Sequence, residues 1–302
     1  MATQLDGGCR VSDMREGDPV VNGTLRIWNQ IGRATGAQAI SLRIMEFAPG
    51  LSPGIRSGSD QILYVLDESW SSAPANDPKD VEDSSHEQAQ SGPPVDQVAM
   101  IDSRPEAVRR TSPSSQVMID GQSYGIGRDT GIYIPPSETF AVDNAGPKSI
   151  VIVSSQCPEP YASQFIMPLT TPATDLIPPE PPRLVRLADR PAQPTADRWY
   201  RVLVDDEVGS TQATQFVGSI PPGRAPDHFH KYEEVLFILK GHGRMWAGET
   251  NTPIRAGSCI YLPKGQVHCV ENTGTDELRL LGVFYPAGSP SVRYEAPARN
   301  EL

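Results

Sequence analysis

Two blocks of sequence recur in the same order in both halves of the chain, and this repetition limits the architecture more than any other feature. Ala48-Pro49-Gly50 lies twelve residues before Ile62-Leu63-Tyr64-Val65-Leu66, and Pro221-Pro222-Gly223 lies twelve before Val235-Leu236-Phe237-Ile238-Leu239. Further on, Ile132-Tyr133-Ile134-Pro135 precedes Asn144-Ala145-Gly146 as Ile260-Tyr261-Leu262-Pro263 precedes Asn272-Thr273-Gly274. The first pair of blocks is offset by 173 residues and the second by 128, so the first half holds about 45 extra residues between its blocks. A duplicated domain with one enlarged loop accounts for both offsets.

The repeated unit reads as β. Short β-branched and aromatic runs at 25–28, 62–66, 131–134, 149–153, 235–239, 259–262 and 278–285 are bounded by Gly, Pro, Asn and Asp. Such recurrence suggests a sandwich or barrel. Long helical periodicity is absent, and 302 residues suffice for two ordinary domains. Two segments break the pattern. Residues 69–98 are polar and acidic, too poor in large apolar side chains to offset ordering entropy, and are expected to form a surface excursion. Residues 158–194 hold ten of the 30 prolines, including Pro178-Pro179-Glu180-Pro181-Pro182, which fits an extended linker. A strap on a domain surface, anchored by Phe165-Ile166-Met167, is the alternative. The expected organisation is an N-terminal domain over 1–157, a Pro-rich linker over 158–198 and a C-terminal domain over 199–302.

Charge narrows the function classes. Against 26 Lys and Arg stand 37 Asp and Glu, for a net charge of −11. Nucleic-acid and anionic-membrane partners both require clustered positive charge and are not expected. No apolar run reaches the length of a membrane span, and residues 1–9 (MATQLDGGC) lack the basic start and apolar stretch of a secretory leader. Cys9, Cys157, Cys259 and Cys269 show no CxxC or framework spacing, so reduced thiols and a cytoplasmic location are expected.

Chemistry concentrates in the second half. His228 and His230 stand two apart, so on a strand both project to one face, and Glu234 has the same parity. His268 follows a Pro263-Lys264-Gly265 turn on another strand. Three imidazoles and a carboxylate make a site for a divalent transition metal; Ca or Mg would call for oxygen ligands. Glu233 is the rival carboxylate, with the opposite parity and an expected outward direction. His242, in Gly-His-Gly, is expected to face solvent, and His86 lies in the acidic excursion as a bystander.

The spacing resembles the two signature motifs of the cupin superfamily, G-x5-HxH-x3,4-E-x6-G and G-x5-PxG-xx-H-xxx-N. His228, His230, Glu234 and Gly241 match the first motif, and Gly257, Pro263, Gly265, His268 and Asn272 the second. One departure is that four residues separate Gly223 from His228 where the motif has five. The resemblance implies an all-β chain of two double-stranded β-helix (jelly-roll) cupin domains, a bicupin. It also implies one metal ion, Fe(II), Mn(II), Ni(II), Cu(II) or Zn(II), held by His228, His230, Glu234 and His268. Because many members associate through sheet edges, a homodimer is the expected assembly.

The first half resembles a cupin without its ligands. Ile55, Ser57 and Gln61 stand where His228, His230 and Glu234 stand, and Phe140 takes the place of His268. Ile and Phe cannot ligate, and Ser with Gln is a feeble donor set. An architectural role is expected there, with a metal-free ligand pocket as the alternative.

Four protein ligands leave two neighbouring octahedral positions open. The expected function is therefore metal-dependent catalysis on a small oxygen-rich metabolite, a dioxygenase first. Redox-neutral isomerase, lyase or hydrolase chemistry, with the metal as Lewis acid, is one alternative, and non-enzymatic metabolite binding is another. Seven basic and seven acidic residues balance over 223–279, so an anionic substrate is compatible. Leu236 and Ile238 are expected on the lumen wall with Glu234. Arg244, Trp246, Tyr261, Gln215 and Tyr285 are candidates to orient a substrate, with packing or surface placement the competing role for each. Cys259 and Cys269 read as packing thiols.

Overall fold

In the computed structural model, residues 1–72, 115–159, 163–168, 182–291 and 294–295 are described. Strands dominate, joined by turns and short 3-10 segments, with no α-helix and no helix long and apolar enough to cross a membrane among the described residues. Four antiparallel sheets form two barrels of two sheets each. In the first barrel a seven-stranded sheet centres on Asp60–Val65, Ile150–Cys157 and Leu42–Phe47, facing a sheet built around Thr139–Asn144. In the second, an eight-stranded sheet centres on Glu233–Lys240, Leu278–Tyr285 and Thr214–Ile220, facing a sheet built around His268–Asn272.

The register reproduces the sequence repeat. Asp60–Val65 pairs with Thr130–Ile134 and Ile150–Cys157, as Glu233–Lys240 pairs with Ser258–Leu262 and Leu278–Tyr285. These central strands are buried on both faces, which suits their nearly continuous apolar character. On Glu233–Lys240 one face (Leu236, Ile238) joins the core of the second barrel. The other (Val235, Phe237) joins an apolar layer shared with Ile62, Tyr64 and Val153 of the first. The barrels thus dock through their sheets. Docking is close at Gly131, where an added Cβ would lie 2.7 Å from Gln215 Oε1 and 2.9 Å from Leu203 Cβ.

A carboxylate–tyrosine pair repeats across that layer. Asp60 accepts from the Tyr133 hydroxyl at 2.8 Å and from Gln212 Nε2 of the opposite barrel at 3.2 Å. Glu233, at the matching position, accepts from the Tyr261 hydroxyl at 2.6 Å and from the backbone amides of Gln38 and Ala39 at 3.0 and 2.7 Å. The expected outward direction of Glu233 is therefore corrected. It does point away from the lumen, but the neighbouring barrel covers it and satisfies its charge.

Hydrogen bonding also departs from the expected boundaries at 157 and 198. Thr3–Gln4 and Arg10–Asp13 extend the second barrel's sheet, and Leu5, Cys9 and Val11 enter its core. Within 158–198, Gln164–Ile166 and Leu184–Arg186 are edge strands of the first barrel, whereas Gln193–Thr195 pairs with the second. A sheet edge offers unpaired amides and carbonyls, and these segments satisfy them. The linker thus contributes strands in the manner of the strap alternative, although Phe165 and Met167 remain exposed. Of the excursion at 69–98, only 69–72 is described; there Trp70 meets Phe237 at 5.4 Å between ring centroids. The rest, with His86, lies outside the described residues. All four cysteines are buried and free, and burial raises each thiol pKa, that of Cys269 to about 11, as fits packing groups.

The motif asparagine proves to be a turn clamp. Asn272 Nδ2 donates to the carbonyls of Ile220 (2.9 Å) and Asp276 (2.7 Å), while its Oδ1 accepts from Gly274 N. Asn144 repeats this in the first barrel, donating to Phe47 and Lys148 and accepting from Gly146 N. Asn144→Ala and Asn272→Ala should each destabilise the protein by about 1–3 kcal/mol, measured by denaturant unfolding, because each strands a buried carbonyl. A large loss for Asn272→Ala with none for Asn144→Ala would show that the clamp is not shared.

Candidate metal centre

Three local features bring the histidines together. His228, on the short strand His228–Phe229, is the register partner of His268, the first residue of His268–Asn272. His230 follows two residues later on the same side. The Pro263-Lys264-Gly265 turn, with Gly265 at φ +81°, returns the chain to His268, and Gly265 N donates to the carbonyl of His230 at 2.8 Å. The ligand atoms of His228, His230 and His268 all lie within 4.8 Å of one another. Glu234 Oε2 lies 3.6 Å from His230 Nε2.

The donor chemistry fits a single divalent ion. His228 Nδ1 lies 3.0 Å from the carbonyl of Pro226, and His268 Nδ1 lies 2.8 Å from that of Gln266. A carbonyl only accepts, so both Nδ1 atoms carry a proton, and Nε2 is the atom each ring can offer to a metal. Burial, reinforced by the neighbouring His228 and His230, lowers the His268 pKa to about 3 and holds that ring neutral. Burial likewise raises the Glu234 carboxyl to about 8. The neutral His268 ring and a carboxyl whose ionisation burial disfavours belong to a donor set whose metal-binding state a divalent ion would favour. Ligands bonded at about 2.1 Å to one ion lie roughly 3–4 Å apart, which agrees with the 3.6 Å separation of His230 and Glu234.

Support comes from the residue between His230 and Glu234 in the alternation. Tyr232 stacks on His230 at 4.6 Å and on Phe284 at 4.4 Å, which fixes the imidazole plane. The period-two pattern His228, His230, Tyr232, Glu234 carried that signal, yet sequence reasoning passed Tyr232 over. Above the histidines opens a cavity of about 100 Å³. Its walls include Tyr200, Phe216, Leu236, Val270 and Leu280, and its polar lining includes Arg198. Arg198 is held by Asp197 at 3.0 Å.

The candidate orienting residues lie elsewhere. Tyr261 and Gln215 face the other barrel, where Gln215 Nε2 donates to the carbonyl of Leu63, and Tyr285 packs on the shared apolar layer. Trp246 lies on the outer side of its sheet, with its ring under Arg224 at 4.1 Å and its Nε1 donating to Glu271. Arg244 alternates with the core residue Met245 and shares the outer side. Leu236 does line the cavity, and Ile238 joins the second barrel's core. His242 is exposed. In the first barrel Ile55, Ser57, Gln61 and Phe140 are all buried, and no metal-ligating cluster forms there among the described residues.

Comparison with known proteins agrees with this geometry. Residues 216–284 match the cupin domain family. The chain is 37% identical over 73 residues to auxin-binding protein 1 of Arabidopsis thaliana, covering 21% of this chain and 37% of that protein. It is 36% identical over 68 residues to the oxalate-binding protein of Thermotoga maritima, covering 22% and 55%. The chain thus spans about a third to a half of the length of these relatives. Among solved structures, oxalate decarboxylase of Bacillus subtilis at pH 4.6 superposes with a TM-score of 0.62 at 12% identity, covering 91% of this chain and 76% of that one. A deletion variant of the same enzyme gives 0.63 at 12% identity, with 91% and 76% covered. At that identity the likeness is one of fold, and it extends over both barrels. Residues 216–284 thus form a cupin domain, and the chain shares the two-barrel fold of the oxalate decarboxylase along nine-tenths of its length.

Proposed function

We propose that the second barrel is a metal-dependent active site for a small, oxygen-rich anionic metabolite, with a dioxygenase reaction as the leading reading. The observation that carries it is the convergence of three imidazoles, with the buried Glu234 carboxyl 3.6 Å from that of His230, beside a mainly apolar cavity that Arg198 also lines. His228, His230, Glu234 and His268 would hold the ion, leaving the cavity side open to substrate. The bound metal would supply Lewis acidity and, if Fe, Mn, Ni or Cu, one-electron chemistry. In this assignment the first barrel takes no metal.

The chain's own residues perform the remaining tasks. The cavity, about 100 Å³ in volume, suits a small ligand. Apolar walls exclude water and strengthen every charge interaction inside. Arg198 can neutralise a substrate carboxylate, and a guanidinium receives two carboxylate oxygens in one plane. Tyr232 keeps the His230 ring from rotating off the ion.

A redox-neutral lyase reaction on a small dicarboxylate is the second reading, favoured by the fold likeness to an oxalate decarboxylase and the sequence likeness to an oxalate-binding protein. Binding without turnover is the third, since two of the similar proteins are described as binding proteins.

Elemental analysis of the purified protein should find close to one transition-metal ion per chain, and almost none in the His228→Ala/His268→Ala variant. Two ions per chain, or an unchanged content in that variant, would refute the ligand assignment. Aerobic and anaerobic screening of small carboxylates and enolisable acids then separates the readings. Substrate-dependent oxygen uptake supports dioxygenation, product formation without oxygen supports the lyase, and saturable binding without product supports the third reading. Arg198→Met should raise KM for an anionic substrate about tenfold or more at unchanged metal content. An unaltered KM would remove Arg198 from substrate recognition.

A further inference from the structure

The lumen of the first barrel lacks metal ligands, yet it carries a charge. On Leu42–Phe47, Arg43 shares its face with Met45 and Phe47, which belong to the barrel core. Gln61 shares its face with Leu63 and Val65, and Ser154 and Gln156 share theirs with Ile152. Register sets Ser154 opposite both Arg43 and Leu63, and Gln156 opposite Gln61. All four are buried, Arg43 to 8% exposure and the others to 1% or less.

Their hydrogen bonds are incomplete. Gln156 Nε2 donates to Gln61 Oε1 at 3.2 Å and to Ser163 Oγ at 3.0 Å, and Arg43 Nη1 donates to the same Ser163 Oγ at 2.9 Å. Arg43 Nε and Nη2, Gln61 Nε2 and Ser154 Oγ are buried without a partner. Burial lowers the Arg43 pKa to about 10, with Glu159 acting in the opposite sense, so the guanidinium stays charged at neutral pH. A buried cation with two unpaired donor atoms is costly even with Glu159 nearby, and three of the four unpaired groups can only donate. What these donors lack is a hydrogen-bonded acceptor: Glu159 acts on the guanidinium electrostatically, but its buried Oε2 bonds none of them.

The position is informative. In the second barrel Phe216 is opposite Gly282, and Glu234 opposite Phe284. Arg43, Gln61, Ser154 and Gln156 therefore stand where Phe216, Glu234, Gly282 and Phe284 stand. Phe216 and Glu234 line the cavity of the metal centre. The first barrel presents a protein-borne cation in the corresponding part of its lumen.

We propose that the first barrel holds a metal-independent site for a small carboxylate, received by Nε and Nη2 of Arg43 and Nε2 of Gln61, with the Ser154 hydroxyl beside them. The Nε–Nη2 edge of a guanidinium matches two carboxylate oxygens in one plane. Ser163, just before the edge strand Gln164–Ile166, closes this end. Among the described residues that strand pairs with Gly54–Arg56 alone and leaves Gln164 and Phe165 exposed, which makes this the side from which a ligand would enter. The site does not depend on the metal centre.

The test uses the full chain as the His228→Ala/His268→Ala variant in EDTA, so that metal-bound carboxylate cannot contribute. Acetate, malonate and succinate are titrated at constant ionic strength, with chloride as control, by thermal unfolding and calorimetry. The expected result is a saturable rise in Tm with at least one carboxylate, one site per chain, and none with chloride. Adding Arg43→Met should weaken that binding at least tenfold, because it removes the guanidinium edge that receives the carboxylate. Gln61→Leu, which leaves the charge in place, should weaken it severalfold and carries the test if the Arg43 variant fails to fold. No response to any of the three carboxylates, an equal response to chloride, or binding unchanged in the folded variants would overturn the proposal.

Discussion

The central strand of each barrel is buried on both faces, and the rest of the structure follows from that constraint. Asp60–Val65 and Glu233–Lys240 each send alternate side chains into their own lumen and into the layer between barrels. Adjacent residues therefore meet different environments. Glu234 enters the lumen beside His230, while Glu233, one residue earlier, is fastened to Tyr261 and to two amides of the other barrel. A buried carboxylate is tolerable only with such partners, so docking the barrels and building the site are linked through one strand.

Much of this was legible because it rests on local rules. The seven apolar runs all fall in strands, since β-branched and aromatic residues between Gly and Pro leave few alternatives. His228, His230 and Glu234 share a parity, and the Pro263–Gly265 turn announces the return of His268. The clustering of the three histidines agrees with what the resemblance to the cupin motifs implies. The repeat also fixed which residues correspond, and the register agrees, with Asn144 and Asn272 making the same clamp.

What escaped depends on contacts distant in sequence. Nothing local says that Thr3–Gln4 and Arg10–Asp13 complete the far barrel, because an edge strand is chosen by the edge it covers. Glu233 was expected to face outward because a single sheet has an outside, and only docking turns that side into an interior. Gln215 and Tyr261 take the packing role that competed with substrate orientation, for the same reason. Tyr232 was missed although its parity matched, because aromatic residues on strands usually pack and its role emerges only from the stack on His230.

The two barrels solve one problem in different ways. The second gathers three imidazoles, that of His268 held neutral by burial, near a buried carboxyl, and the first buries a guanidinium with two unpaired donor atoms. The central claim is that one ion sits among His228, His230, Glu234 and His268. The most direct measurement is an anomalous-scattering map from crystals of the native protein, recorded at the absorption edge of the metal it carries. The account predicts one strong peak per chain, about 2.0–2.2 Å from Nε2 of His228 and His268 and within bonding reach of His230 and Glu234. A peak in the first barrel near Ile55 and Phe140, or one in the second barrel that does not touch these four side chains, would contradict it.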